Sequence, residues 1–204
     1  MNRLFGPMGF LVIFLMFGCQ GTNEVVNLKV YGLAPSPDEN HGTLSVAIQD
    51  FEDLRNPKGD LGQRTHFWGG HTRFTIWDGD IGSGVANAAA EYLEHSGWQV
   101  QQTGATGSST ADVSLKGKIR EFTASAKSGF GFTEFTVDTI IEYHVENRLD
   151  GSIERITVGS GGKDTVAVFG PQDMEKLVYA VLQENFDELL DETVVKGKTL
   201  KRKE

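Results

Sequence analysis

The feature that most constrains this chain is the stretch from Thr133 to Asn147. Phe135, Val137, Ile141, Tyr143 and Val145 share one parity, while Glu134, Asp138, Glu142, His144 and Glu146 fill most of the other, with Ile140 as the exception. Successive side chains of a strand point to opposite faces, so this run predicts a long strand with one buried and one wet face. Asp150-Gly151 follows, a dipeptide suited to a type I′ turn because both central positions there need positive φ. Ile153 to Val168 is then expected to return as the partner strand, broken at Gly159-Ser-Gly-Gly162. A hairpin of this length needs apolar cover on its inner face.

Two helical segments offer that cover. From Pro171, well placed at a first helical turn, Met174, Leu177, Val178, Val181, Leu182, Phe186, Leu189, Leu190 and Val194 recur at helical spacing. After Asp80, a second apolar face comprises Val85, Ala88, Ala89, Tyr92 and Leu93, with Gly97 as a stop. Shorter alternating runs at Leu28–Gly32, Leu44–Phe51, Thr72–Trp77, Trp98–Gln102 and Val113–Ile119 read as strands, and the segment from Asp53 to Gly62 as a loop. Phe122 falls on the opposite parity to Ile119, which predicts a bulge or bend between them. This order predicts an α+β fold: a mixed, largely antiparallel sheet with two amphipathic helices packed on one face. It forms a single domain over residues 44–195, with a basic flexible tail at 196–204.

The N-terminus carries an address. After Arg3, Leu4 to Gly18 is uncharged, too short to span a bilayer comfortably and laid out like a secretory signal peptide over residues 1–18. It ends Leu15-Met16-Phe17-Gly18-Cys19, and Cys19 is the only cysteine in the chain. This resembles the lipobox of bacterial lipoproteins, although Met16 and Phe17 are bulkier than is usual there. The resemblance implies acylation of Cys19, palmitate included, and anchoring in outer-membrane lipid. Gln20 follows the cysteine where inner-membrane retention typically uses Asp, which favours the periplasmic face of the outer membrane. Residues 19–43 would then be the lipidated cysteine, a polar leash and a short first strand.

Composition narrows the function. At 204 residues with 39% hydrophobic and 23% charged, the chain can bury a real core and is neither disordered nor polytopic. A net charge of -9 argues against nucleic-acid binding, which needs a basic surface. A lone cysteine excludes an intrachain disulfide framework.

Several motifs together resemble a recurring layout of bacterial envelope proteins. They are Val46-Ala-Ile-Gln-Asp-Phe-Glu-Asp-Leu-Arg55, Leu61-Gly62, the helix ending Leu93-Glu-His-Ser-Gly-Trp98, and Ala111-Asp-Val-Ser-Leu-Lys-Gly-Lys-Ile119. The layout is similar to small outer-membrane lipoproteins of the YajG type and to the N-terminal domain of TolB. The lipopolysaccharide-assembly lipoprotein LptE and ABC-transporter auxiliary lipoproteins have comparable designs. The resemblance covers residues 44–194 and implies an envelope accessory role, mostly without enzymatic activity.

No reactive constellation stands out. Asp50, Asp53 and Arg55 at a strand end are expected to hold a loop through an ion pair. His66 and His71, with Asp78 and Asp80 downstream, supply half of a zinc site at most. Gly82-Ser-Gly84 lacks the Lys and Ser/Thr of a phosphate loop, and no Gly-x-Ser-x-Gly elbow occurs. No metal, cofactor or catalytic residue is therefore expected, and the chain is read as a non-enzyme. The candidate binding residues are aromatics: Phe67, Trp68, Phe74 and Trp77 in one segment, Phe130 and Phe132 in a Gly-Phe-Gly-Phe loop. The expected function is a lipid-anchored accessory protein that binds another envelope protein; the alternative is a carrier or chaperone for lipid or lipopolysaccharide.

Overall fold

The structure, a computed structural model, describes residues 24–26, 44–76, 80–103 and 109–203. The expected strand at Leu28–Gly32 lies outside them, as does Trp77.

The strands are β1 (Glu24–Val26), β2 (Ser45–Ile48), β3 (Glu52–Asp53), β4 (Gly62–Thr65), β5 (His71–Ile76), β6 (Gln99–Gln102), β7 (Val113–Ser128), β8 (Thr133–Asn147), β9 (Ile153–Val166), β10 (Thr193–Lys196) and β11 (Thr199–Arg202). The helices are α1 (Ile81–His95), between β5 and β6, and α2 (Pro171–Asp191), between β9 and β10.

The strand β7 organises the sheet. Along one edge it pairs antiparallel with β8 from Val113↔Asn147 to Ser128↔Thr133, and β8 pairs antiparallel with β9. Along its other edge β7 takes three short strands end to end, all parallel: β2 at Val113 to Leu115, β3 at Lys118 and Ile119, and β4 at Ala126 and Lys127. That edge forks. One arm continues β2–β6 in parallel, and the other continues β4–β5–β1, with β1 parallel to β5.

The register of β7 shifts between Ile119 and Glu121, which accounts for the change of parity between Ile119 and Phe122. Arg55 braces this bend. Its buried guanidinium meets Asp53 through Nε and Nη2 at 3.0 and 3.1 Å, and Nη1 donates to the Phe122 carbonyl at 3.0 Å. Burial works against ionisation of Asp53, but the hydrogen bonds from the Arg55 side chain and backbone outweigh it and hold the carboxyl below its ordinary range. The expected ion pair thus fixes the loop.

The layered α+β expectation does not hold. Among the described residues strand far outweighs helix, and the mixed sheet curls into a half-barrel instead of offering one face for two helices. The helices address different parts of it: α1 lies against β2, β3 and β6, whereas α2 lies against β8, β9 and β1. The physical reason is length and branching. Strands of 14 to 16 residues accumulate right-handed twist, and the bulge adds to it.

Both helices start as their sequences dictate. Asp80 caps α1 by accepting from Gly82 N at 3.0 Å, and Asp173 accepts from Gly170 N at 2.9 Å before α2. The apolar faces fill a continuous core with the inward residues of β2, β7, β8 and β9. Tyr143 donates to Asn185 Oδ1 at 2.5 Å, and Asn185 Nδ2 donates to Ser160 Oγ at 3.0 Å, so a buried polar link joins α2 to β8 and β9.

Three local expectations are corrected. The strand β9 runs unbroken through Gly159 to Gly162, and Gly162 makes room for α2. A Cβ on Gly162 would lie 2.7 Å from Leu177 Cδ1 and 2.9 Å from Val181 Cγ2. The turn after β8 is longer than a two-residue type I′ turn. Gly151 alone has positive φ, and Asn147 N donates to the Ser152 carbonyl at 2.8 Å. Finally, residues 196–202 are not a frayed tail. α2 stops at Asp191, Val194 enters β10, and β10–β11 form a hairpin whose Leu200 is buried.

Candidate functional site

The parallel pairing of β4 with β7 decides where the aromatic residues meet. Arg64 lies opposite Ala126 and Thr65 opposite Lys127, so both strands run the same way and their following turns emerge side by side. Phe67 and Trp68 occupy the β4–β5 turn, and Phe130 and Phe132 the β7–β8 turn. Trp68 is 93% exposed, Phe130 87%, Phe132 49% and Phe67 47%. The ring centroids of Phe67 and Trp68 are 4.8 Å apart, and those of Phe67 and Phe130 are 6.2 Å apart. Four of the six expected aromatics therefore form one apolar tip at one end of the sheet.

The tip is supported from below. Arg64 Nε donates to Ser128 Oγ at 3.0 Å, and Ser128 Oγ meets Thr133 Oγ1 at 3.1 Å, tying the two turns together. The Arg64 guanidinium also lies over the Phe169 ring at 4.7 Å. Phe169 packs on Phe135 and Phe74, at centroid distances of 5.3 and 6.2 Å. Phe74 is thus a core residue and not a contact residue: it is fully buried, because it points inward from a strand on which His71 and Arg73 point out. Trp77 lies outside the described residues. Sequence reasoning missed Val168, exposed two residues beyond Val166, which is paired with Thr133 at this same end.

The other candidate groups are engaged elsewhere. His66 Nε2 is 2.7 Å from Thr72 Oγ1, and His71 Nδ1 is 3.3 Å from Thr65 Oγ1. Among the described residues, no three or more His, Cys, Asp or Glu gather as a metal site. Gly82 serves packing: a Cβ there would fall 2.0 Å from the Phe51 carbonyl oxygen. On the outer face of β8, Glu142 accepts from Arg120 Nη2 at 2.6 Å and lies 2.6 Å from His144 Nε2. Those hydrogen bonds, Arg120 first, hold the Glu142 carboxyl down at about 2. It is a permanently ionised member of a surface ladder, unsuited to proton transfer near neutral pH. A cleft of about 400 Å³ opens beside the β7 bulge between Arg55, Pro57, Leu61 and Arg120, and the Arg55 donors along it are already used.

The sheet also leaves an edge open. β9 pairs with β8 alone, so its outer backbone edge has no strand partner among the described residues over 14 residues. No helix of the described residues is long and apolar enough to cross a membrane.

No family model and no curated protein matches the sequence, so the YajG and TolB resemblance rests on its short motifs. Solved structures do match. The crystal structure of a Xanthomonas campestris protein of family DUF330 aligns with a TM-score of 0.52 at 11% identity, covering 82% of this chain and 92% of that one. An uncharacterized protein gives 0.49 at 11% identity over 84% and 98%. The PelC dodecamer of Paraburkholderia phytofirmans gives 0.42 at 15% over 76% and 94%. Of these, the DUF330 protein alone exceeds 0.5, and what the chain shares with it is the fold.

Proposed function

We propose that this chain is a non-catalytic accessory lipoprotein of the bacterial envelope, held at the periplasmic face of the outer membrane by acyl groups on Cys19, and that it docks another envelope protein. The observation that carries the docking is the open edge of β9. A row of unpaired backbone donors and acceptors is a ready template for an added strand. The lipobox-like run ending at Cys19 supports the anchor, since two or more acyl chains give stable membrane attachment.

Photo-crosslinking residues placed at Arg155 and Thr157, on β9, test the docking in cells. One recurrent protein adduct is expected, and its absence at both positions contradicts the reading. Cys19→Ser tests the anchor: the unprocessed precursor should accumulate, and normal maturation contradicts lipidation. The rival reading, a carrier of lipid or lipopolysaccharide, draws on the exposed aromatics and predicts lipid bound to the purified protein in a native mass spectrum.

A further inference from the structure

We infer that the aromatic tip seats in the lipid bilayer, in the same leaflet that holds the Cys19 acyl chains, so that the sheet stands with its β4–β5 and β7–β8 turns toward the membrane. The inference rests on the acylation of Cys19 proposed above.

Aromatic composition alone fits a protein interface as well as a membrane interface. The direction of β1 separates the two. β1 is parallel to β5, with Glu24 opposite Phe74 and Val26 opposite Ile76. β5 runs away from the tip, starting at His71 opposite Thr65. The N-terminal end of β1 therefore faces the tip. Phe74 is three residues beyond His71, or about 10 Å of strand. Cys19 is five residues before Glu24, a reach of up to about 17 Å. A lipid on Cys19 can thus lie level with Trp68 and Phe130. From the opposite end of the sheet the same leash falls far short, since the 15 residues of β8 span about 50 Å.

The chemistry of the tip fits a headgroup–acyl boundary. Neither His66–Gly70 nor Ser128–Thr133 contains Asp, Glu, Lys or Arg. Charges resume immediately behind it as a collar: Lys127 stands opposite Glu134 across β7 and β8, Lys163 meets Glu134 at 2.8 Å, and Arg73 meets Asp60 at 3.3 Å. Such a tip can enter lipid to the depth of its turns and stop where the collar begins. Tip and acyl chains then bind as two linked sites, which fixes orientation as well as attachment.

The test uses the mature protein purified from membranes and reconstituted in vesicles of phosphatidylethanolamine and phosphatidylglycerol. An environment-sensitive fluorophore is placed at Phe130→Cys or, at the far turn, Leu149→Cys. Intact mass establishes acylation of Cys19 in each sample. The expected result is a blue-shifted emission at position 130 that lipids brominated on their acyl chains quench, with neither effect at 149. Acylated, vesicle-bound protein whose position 130 reports water overturns the inference and leaves the anchor standing. So does equal quenching at both positions, which means the domain lies flat. A chain without acyl groups overturns the anchor, and the inference with it. Crosslinking from position 130 to a protein, without lipid quenching, assigns the tip to that partner instead.

Discussion

The two ends of the β7–β8 hairpin are built from the same strands and finished in opposite ways. At the far end, Asn147 is fully buried and clasps the C-terminal hairpin: Nδ2 donates to the Leu200 carbonyl at 2.9 Å, and Oδ1 accepts from Leu200 N at 2.7 Å. Lys201 reaches Asp150 at 2.8 Å, and Lys198 reaches Asp112 at 3.2 Å. At the tip, four aromatic rings face solvent over a buried Phe169 floor. The far end spends most of its side chains on closing the fold and leaves two aliphatics, Leu149 and Ile153, exposed, whereas the tip gathers four aromatics into one apolar surface. Scattered exposed apolar residues are ordinary, whereas the aromatics gathered from two separate turns are the surface on which the proposed membrane contact rests.

Substitutions at the far end should cost stability, with the largest effect at Asn147. Asn147→Ala strands both backbone groups of Leu200 and should lower the unfolding free energy by about 3 kcal/mol, read from urea unfolding. Arg55→Met at the bulge leaves Asp53 and the Phe122 carbonyl without their donor and should cost about 2 kcal/mol. Lys201→Met breaks a partly exposed pair, and about 0.5 kcal/mol is expected. The joint substitution of Trp68→Ser and Phe130→Ser should change stability least, within about 0.5 kcal/mol, while abolishing lipid contact at the tip. A large loss of stability there would erase the distinction between the two ends.

Acid sharpens the same contrast. The Lys201 and Ser152 hydrogen bonds hold Asp150 well below its ordinary 3.8, and the Ser45 and Lys198 contacts lower Asp112. Because the folded values are depressed, the stabilisation is complete above 3.8 and is lost progressively as pH falls from there towards and through those lower values. Hydrogen exchange between pH 5 and pH 2.5, corrected for intrinsic rates, should therefore show β11 losing protection before β5 does.

Much of this architecture is legible where the signal is local. The helix from Pro171 and the strand from Thr133 announce themselves by period, and the slip of parity at Phe122 marks the bulge. What escaped the sequence depends on distant partners. Gly159 to Gly162 reads as a break until α2 is seen packing on it. Lys196 to Lys203 reads as a solvated tail because its one apolar residue, Leu200, is covered by a residue 53 positions away. The curl of the sheet follows from parallel pairings such as Arg64 with Ala126, which no local pattern encodes. At the site, composition identified Phe67, Trp68, Phe130 and Phe132, but only the register shows that they meet. Phe74 was misplaced even though the alternation from His71 to Ile76 already turned it inward.

The measurement that tests the account most directly is hydrogen exchange of the mature, acylated protein, free in detergent and bound to vesicles. The account predicts added protection on vesicles at residues 66–70 and 128–133 and none at 147–152. Protection at 147–152, with the tip unchanged, would contradict it.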